Sequence, residues 1–547
     1  LPRDGQIVTH FPHTFESIGP PLSNITLAVM ADSGAFVAAR ALAAHVRGLN
    51  VTLTSLLGDG LADDIPMGST IRLTIPSVMN MRHVGPTGVW PLVRTARSNG
   101  TSIDEASPEY HPASRSPSIT ITPGRFAKAP QIAPLDPRAG ARTSLQLNFT
   151  SSNWWPSDGT LQLALPSGGS GFTDVDATIA VMIRHDEMRD NGARGQARFD
   201  GLNWQVNVSR DGSGASIPPG VRVTITLGGV TNPEESGYVA VYPLVRTALA
   251  DETVVDEASD DHHAADRAPG TFIVPGELNA TVFEPEFTMQ GGLGFIDVAF
   301  QLANHLPLDG RIEMQLPVGY ALSDDARVAD VGGTLQSEVA SWNTEVADDR
   351  NVAVTLEGTS SAFVPKGTRL VLRIRSVLNP METGRSDRMP LVRTTTAAQQ
   401  TIDEASATFH AHQRAITPAM RPRPRIDALS TSSGTLATAG GQTVTITGDY
   451  FDRYATASQN VTYGPTGVEY NATECEIVTE PTVIECRSAP GVGGALVWRA
   501  TVGGEVWSEV STVTLSYTSP FINDISGDNA SRLATSGGDW VYLIGSD

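Results

Sequence analysis

Three copies of one motif pair limit what this chain can fold into. Pro91-Leu92-Val93-Arg94-Thr95 is followed by Ile103-Asp104-Glu105-Ala106-Ser107, and the pair recurs at Pro243 to Thr247 with Val255 to Ser259 and at Pro390 to Thr394 with Ile402 to Ser406. The two motifs start 12 residues apart in every copy, and successive copies lie 152 and 147 residues apart. A period of that size repeats a whole domain.

Before each pair stands a Pro-x-Gly step, at Pro66-Met67-Gly68, Pro218-Pro219-Gly220 and Pro365-Lys366-Gly367. In the second and third copies it feeds period-2 runs rich in β-branched residues, such as Arg222 to Leu227 and Arg369 to Ile374. Alternation of that kind marks half-buried strands. With 52 Gly and 36 Pro cutting the apolar stretches to strand length, the fold class is all-β, as tandem β-sandwich modules. Asp158 to Pro166 and Asp309 to Pro317 are a further shared strand, which the first copy is expected to lack. Leu1-Pro2 is laid on the Leu-Pro ends of those strands, and a longer insertion carrying a helix-prone Ala-rich segment follows. The domains are therefore read as repeat 1 over 1–124, N-terminally incomplete, repeat 2 over 125–276 and repeat 3 over 277–423.

Net charge is −21, from 59 acidic and 38 basic residues. Such a surface repels phosphate backbones and anionic headgroups, so neither nucleic acid nor an electrostatically held membrane is expected as a partner. Only Lys128 and Lys366 are lysines, and neither lies in a phosphate-binding loop pattern. The longest apolar stretch, Leu27 to Val46, carries Asp32, Arg40 and His45, so no membrane span is expected in this segment.

After Arg421-Pro422-Arg423-Pro424 the pattern changes. Pro424-Arg425-Ile426-Asp427-Ala428-Leu429 leads through Gly440-Gly441 and Thr443 to Gly448, then to Val461-Thr462-Tyr463-Gly464, Cys475, Cys486 and Ala489-Pro490-Gly491. Pro520 to Ile525 and Gly537 to Gly545 repeat the opening. These residues resemble IPT/TIG domains, immunoglobulin-like modules of plexins, fibrocystin-type receptors and many protist and algal surface proteins. The resemblance implies a complete module over 424–518 and the start of a second over 519–547, in an extracellular glycoprotein of protist or algal type. A disulfide between Cys475 and Cys486 fits that family and a hairpin turning near Glu480-Pro481; two buried free thiols are the alternative.

Nine Asn-x-Ser/Thr acceptors occur, at Asn24, Asn50, Asn99, Asn148, Asn207, Asn279, Asn460, Asn471 and Asn529, where chance would give about three. The excess argues for a secreted chain carrying covalent glycans. The recurring Arg94, Arg246 and Arg393 are expected to form cross-strand ion pairs with Asp104, Asp256 and Asp403 rather than a catalytic site present three times. Acidic clusters at Asp59 with Asp63-Asp64, Asp324-Asp325 and Asp348-Asp349 offer calcium-type ligands without EF-hand spacing and are read as solvated. Asp260 to His263 and His185-Asp186-Glu187 lack zinc spacing and are read as surface residues. No nucleophile elbow or dinucleotide fingerprint is present, and no cofactor or enzymatic activity is expected. The whole predicts a structural subunit of an extracellular filament or surface fibre, ciliary-hair-like, whose partners are copies of itself; a cell-surface adhesin or receptor ectodomain binding glycan or protein is the alternative.

Overall fold

A computed structural model describes the chain apart from residues 3, 19–24, 31–34, 40–42, 55–63, 77, 169–170, 187, 191, 334–338, 359–362, 385–386, 452–459, 503–505, 528–529 and 547. The described residues form strands, with three short 3-10 helices as their helical structure. They divide into two compact units, Leu1–Pro233 with Gly237–Ile273, and Glu234–Ser236 with Val274–Asp547.

Repeat 2, in the first unit, shows the complete sandwich. One sheet runs, strand by strand, Thr178–Ile179, Arg194–Phe199, Asn203–Ser209, Thr160–Pro166, Leu244–Ala248, Val254–Ser259. The other runs Lys128–Pro134, Arg142–Thr150, Arg222–Thr231, Val181–His185, Met188–Asp190. In Arg222–Thr231 the alternation sends Val223, Ile225 and Leu227 inward to full burial, each contributing roughly 1.5–3 kcal/mol. Where the core meets the turn after Asn203–Ser209, Arg210 is buried yet fully paired: Nε donates to Asp190 at 2.8 Å, and NH1 and NH2 donate to the carbonyls of Trp155, Pro156 and Ala215.

Repeat 1 is smaller. Its first sheet runs Ser102–Ala106, Leu92–Ala96, Gln6–His10, Asn50–Thr54, Ala43–Arg47, and its second, among the described residues, has Phe36–Ala39, Thr26–Met30 and Ile71–Thr74. The shared strand is present after all. Gln6–His10 lies between Leu92–Ala96 and Asn50–Thr54, as Thr160–Pro166 lies between its neighbours in repeat 2. The matching sequence is Leu1-Pro2-Arg3-Asp4-Gly5 against Leu306-Pro307-Leu308-Asp309-Gly310, and the backbone bonds joining Leu1 with Ile65 match the pairing of Leu306 with Val364. What repeat 1 lacks, among the described residues, is any strand in the places of Lys128–Pro134 and Arg142–Thr150. The Ala-rich segment also differs from expectation. It forms strands Thr26–Met30, Phe36–Ala39 and Ala43–Arg47, because Leu27 and Val29 alternate inward onto the sheet while Ala residues fill strand positions that pairing stabilises over propensity.

In the second unit, repeat 3 has sheets Gly276–Glu277, Thr401–Ser406, Leu391–Thr395, Arg311–Gln315, Asn351–Gly358, Val339–Val346 and Asn279–Pro285, Leu293–Gln301, Arg369–Leu378, Ala321–Gly333. The IPT/TIG-like region follows with two four-stranded sheets around Trp498, Tyr463 and Tyr517. The Tyr463 and Trp498 rings stack at 4.0 Å, and the Tyr463 and Tyr517 hydroxyls share a hydrogen bond of 2.7 Å. Cys475 and Cys486 form a disulfide across the hairpin Thr473–Thr479 and Val483–Arg487, whose turn holds the cis peptide Glu480–Pro481. Phe521–Ser526 and Tyr542–Ser546 pair as an isolated hairpin that leaves Phe521, Ile525, Tyr542 and Leu543 exposed.

Candidate functional site: the slot beside the acidic strand

The acidic strand of each repeat, Val254–Ser259 or Thr401–Ser406, ends its sheet, and in repeats 2 and 3 a short segment closes that edge from outside. In repeat 2 the segment is Pro123-Gly124-Arg125-Phe126. It runs parallel to the acidic strand, with Gly124 beside Asp256: the Gly124 amide donates to the Val255 carbonyl and the Glu257 amide to the Gly124 carbonyl. In repeat 3 Pro275-Gly276-Glu277-Leu278 does the same, with Gly276 beside Asp403. Phe126 then joins the repeat 2 core with Val245 and Ala258, and Leu278 joins the repeat 3 core with Val392 and Ile402.

The expected Arg–Asp ion pairs do not form. Arg246 faces Glu257 and Arg393 faces Glu404 in the register, so Asp256 and Asp403 point to the opposite face. Arg246 Nε donates to Gln162 at 2.5 Å and Arg393 to Glu313 at 2.6 Å. The aspartates are instead buried acceptors. Asp256 takes bonds from Ser151 Oγ at 2.8 Å, the amides of Ser152 and Asn153, and Asn153 Nδ2 at 2.8 Å. Asp403 takes them from the amides of Ala303 and Asn304 and from Asn304 Nδ2 at 2.7 Å. Burial pushes the Asp403 carboxyl above the usual carboxylate range, against the Asn304 bonds that favour its ion. This knot explains the glycine: a Cβ at Gly124 would collide with Asp256 and Asn153, and one at Gly276 with Asp403 and Asn304.

A histidine holds the segment from below. After each acidic strand the chain turns so that the Ser259 amide meets the His262 carbonyl, and the Ser406 amide the Phe409 carbonyl. The next residue, His263 or His410, is held in the left-handed region at φ 56 or 55, a conformation costly for a non-glycine residue. Its Nε2 reaches the Pro123 carbonyl at 3.0 Å or the Pro275 carbonyl at 2.8 Å. A carbonyl only accepts, so Nε2 carries the proton in both. Arg125 adds a two-pronged bond to Asp266 in repeat 2, and Glu277 meets His412 and Gln413 in repeat 3. Asp260, Asp261 and Asp186 are exposed, as a surface reading has them, but that reading is corrected at two histidines: His263 serves the slot, and His185 is buried, 3% exposed. Asn153, Asn304 and the Pro-Gly steps escaped the sequence reading, although Pro123-Gly124 and Pro275-Gly276 lie 152 residues apart, as the first two motif pairs do.

Of the sequon asparagines, Asn24 and Asn529 lie outside the described residues. Asn50, Asn99, Asn207, Asn279, Asn460 and Asn471 are exposed; Asn148 is half-buried, its Oδ1 accepting from Thr224. Asp59 and Asp63 also lie outside the described residues. Asp325 is engaged by Ser323 and Ser376, and Asp348 by Arg350 and Asn351; these bonds hold both carboxyls below their ordinary value.

Residues 424–518 match the IPT/TIG domain family. No curated protein matches the chain in sequence. Among solved structures, the plexin A4 extracellular region, domains 1 to 10, is 11% identical with a TM-score of 0.19, covering 96% of this chain and 42% of its own. Invasin, a bacterial integrin-binding protein, is 13% identical with a TM-score of 0.16, covering 75% of this chain and 63% of its own. A biofilm-associated protein's BSP domain is 9% identical with a TM-score of 0.16, covering 94% and 90%. The chain thus spans under half the plexin chain's length, and TM-scores at this level assign no shared overall arrangement. What stands is a tandem of β-sandwich repeats followed, over residues 424–518, by an immunoglobulin-like IPT/TIG domain.

Proposed function

We propose that the chain is a structural subunit of an extracellular glycoprotein filament or surface fibre, ciliary-hair-like and of protist or algal type, that assembles with copies of itself. The observation that carries this reading is the shortness of the joints. Thr120–Ile121 still pairs with Gly85–Pro86 of repeat 1, and Gly124, three residues later, is already in the edge of repeat 2. The Val84 amide also donates to the Val254 carbonyl at 2.8 Å. In the second unit, Met289 of repeat 3 sits in the IPT/TIG core, and the Arg421 amide and carbonyl bond to Thr288 and Gln290. Two or three free residues between sandwiches leave little room to bend, which suits an element whose work is mechanical.

The exposed sequon asparagines and the disulfide suit a secreted, glycan-bearing chain. Electron microscopy of unfixed native material tests the reading. Filaments of fixed axial repeat containing this chain are expected; separate single molecules would overturn the filament and favour the adhesin or receptor.

A further inference from the structure

Repeat 2 gathers cations on one face of one sheet, in a chain whose net charge is −21. In the sheet that runs from Lys128–Pro134 to Met188–Asp190, the side chains of Phe149, Ile183 and Val223 turn inward to the core, so their strand neighbours face outward. The register sets these outward residues in two rows. Arg189 stands opposite Arg184, Arg184 opposite Thr224, and Thr224 opposite Asn148. In the second row Arg222 stands opposite Thr150, and Thr150 opposite Lys128. Lys128, Arg184, Arg189 and Arg222 are all exposed, and none makes an ion pair among the described residues. Asp190 points inward to Arg210, and Asp186, exposed at the hairpin turn, is also without an ion pair among them. Like charges directly opposite one another weaken strand pairing. A cation on an edge strand guards against stray pairing, which accounts for Lys128 and Arg189; Arg184 and Arg222 lie on inner strands, where no guard is needed. Repeat 3 balances the same face: Arg373 has Asp297 opposite it and meets it with bonds of 2.8 and 2.7 Å, where repeat 2 sets Thr226 opposite Gln146.

We propose that this basic face of repeat 2 docks a second copy of the chain, at the corner of repeat 3 that carries Asp324, Asp325, Asp348 and Asp349. The inference rests on the filament reading and names the contact that builds it. Charge complementarity selects the partner. With the four cations set aside, 34 basic residues stand against 59 acidic ones, so the rest of the chain is more acidic than the whole. In repeat 3 the Leu322 amide donates to the Asp349 carbonyl at 2.6 Å, which brings the turn with Asp348 and Asp349 beside the strand with Asp324 and Asp325. All four aspartates are exposed, against Arg327 and Arg350 as the cations that act on them. A basic patch on one repeat and an acidic patch on another make a heterologous contact, and such a contact propagates as an open filament where its rotation does not close a ring. An acidic polysaccharide carries the same charge, but the complementary patch on the chain itself favours a copy.

Sedimentation velocity of the full chain tests the contact at about 0.01 M and about 1 M salt, where charges act over about 30 Å and about 3 Å. Concentration-dependent association is expected at low salt and its loss at high salt. Arg184→Glu with Arg222→Glu should weaken association at least about tenfold, and Asp324→Arg with Asp349→Arg should do the same. Mixing the two charge-reversed chains should restore it. Arg189→Thr should weaken association while leaving the unfolding midpoint of repeat 2 unchanged or higher, because it relieves the repulsion at Arg184. Hydrogen exchange of each variant as a single molecule, unchanged in the cores, controls for folding. A chain that stays single at low salt, or one whose association survives both reversals, would overturn the proposal, and filaments in native material would then leave the filament reading standing. Association that follows the expected pattern without filaments in native material would support the contact and remove the filament. Heparin binding lost on Arg184→Glu with Arg222→Glu, in a chain that stays single, would replace the copy by an acidic polysaccharide. A glycan found by mass spectrometry on Asn148, at the centre of the face, would also overturn the proposal.

Discussion

The aspartate of the repeated motif occupies one sequence position in three copies and two physical environments, which makes Asp256→Ala and Asp104→Ala a matched pair. Asp256 is 0% exposed and accepts from Ser151 Oγ, two amides and Asn153 Nδ2. Truncation leaves two amides and Asn153 Nδ2 facing a void, while the Ser151 hydroxyl keeps the Asn153 carbonyl. A single unsatisfied buried donor costs about 1–3 kcal/mol, and because the terms do not add, the total for the knot stays near the upper end of single-substitution effects, about 4 kcal/mol. Loss of about 4 kcal/mol is a large share of a domain's net stability of about 5–15 kcal/mol. Asp104 is exposed and touches Thr95 Oγ1 at 3.1 Å, so Asp104→Ala should stay within about 0.5 kcal/mol. Hydrogen exchange on the full chain reads both at once. Asp256→Ala should speed exchange across 124–126 and Val254–Ser259, while Asp104→Ala leaves 102–106 at its starting rate. Equal effects at the two sites would refute the claim that the inserted Pro-Gly segment is what makes the aspartate structural.

Three further outcomes follow from the same geometry. Asp190→Ala strands the buried Arg210 guanidinium and should destabilise repeat 2 by about 3–5 kcal/mol, checked by denaturant unfolding followed through Trp155; a change below about 1 kcal/mol would refute it. Cys486→Ser opens an 11-residue separation and should cost the IPT/TIG domain about 3 kcal/mol, seen as faster exchange confined to 424–518. Glu469 accepts from the Thr466 amide and hydroxyl and the Val468 amide, which lowers its carboxyl to about 2. Its stabilising contribution is therefore present above the ordinary value of 4.5 and lost as pH falls from there through about 2; a carbon-detected NMR titration with a midpoint near 4.5 would refute this.

The sandwich tandem was legible because repetition multiplies weak signals: period-2 runs recur at one spacing three times, and the IPT/TIG match rests on a string of Gly and Pro steps at turns. Pairings were less legible. In Leu244–Ala248 against Val254–Ser259 a bulge shifts the register between Thr247 and Ala248, and a slip of one residue decides whether Arg246 meets Asp256 or Glu257. Leu-Pro misled in a similar way, since it flanks the strand on both sides in repeat 3, at Leu306-Pro307 and Leu316-Pro317, while the second step in repeat 1 is Phe11-Pro12. Asn153 and Asn304 were invisible to any spacing argument, being brought to their aspartates from about 100 residues away by the closing of the sandwich.

The Pro-Gly segment makes stiffness and stability one quantity in the first unit. Bending the joint between repeats 1 and 2 further than Thr122 and Pro123 absorb must withdraw Gly124 from the edge and Phe126 from the core that contains Phe149, Val245 and Ala258. Exposing the phenyl ring alone costs roughly 1.5–3 kcal/mol, before the two backbone bonds to the acidic strand and the histidine clamp are counted. A flexible linker of the same length would impose no such coupling. Within the first unit, repeat 2 is closed only while the segment ahead of it stays in place, so this joint resists bending and unfolding through the same few contacts.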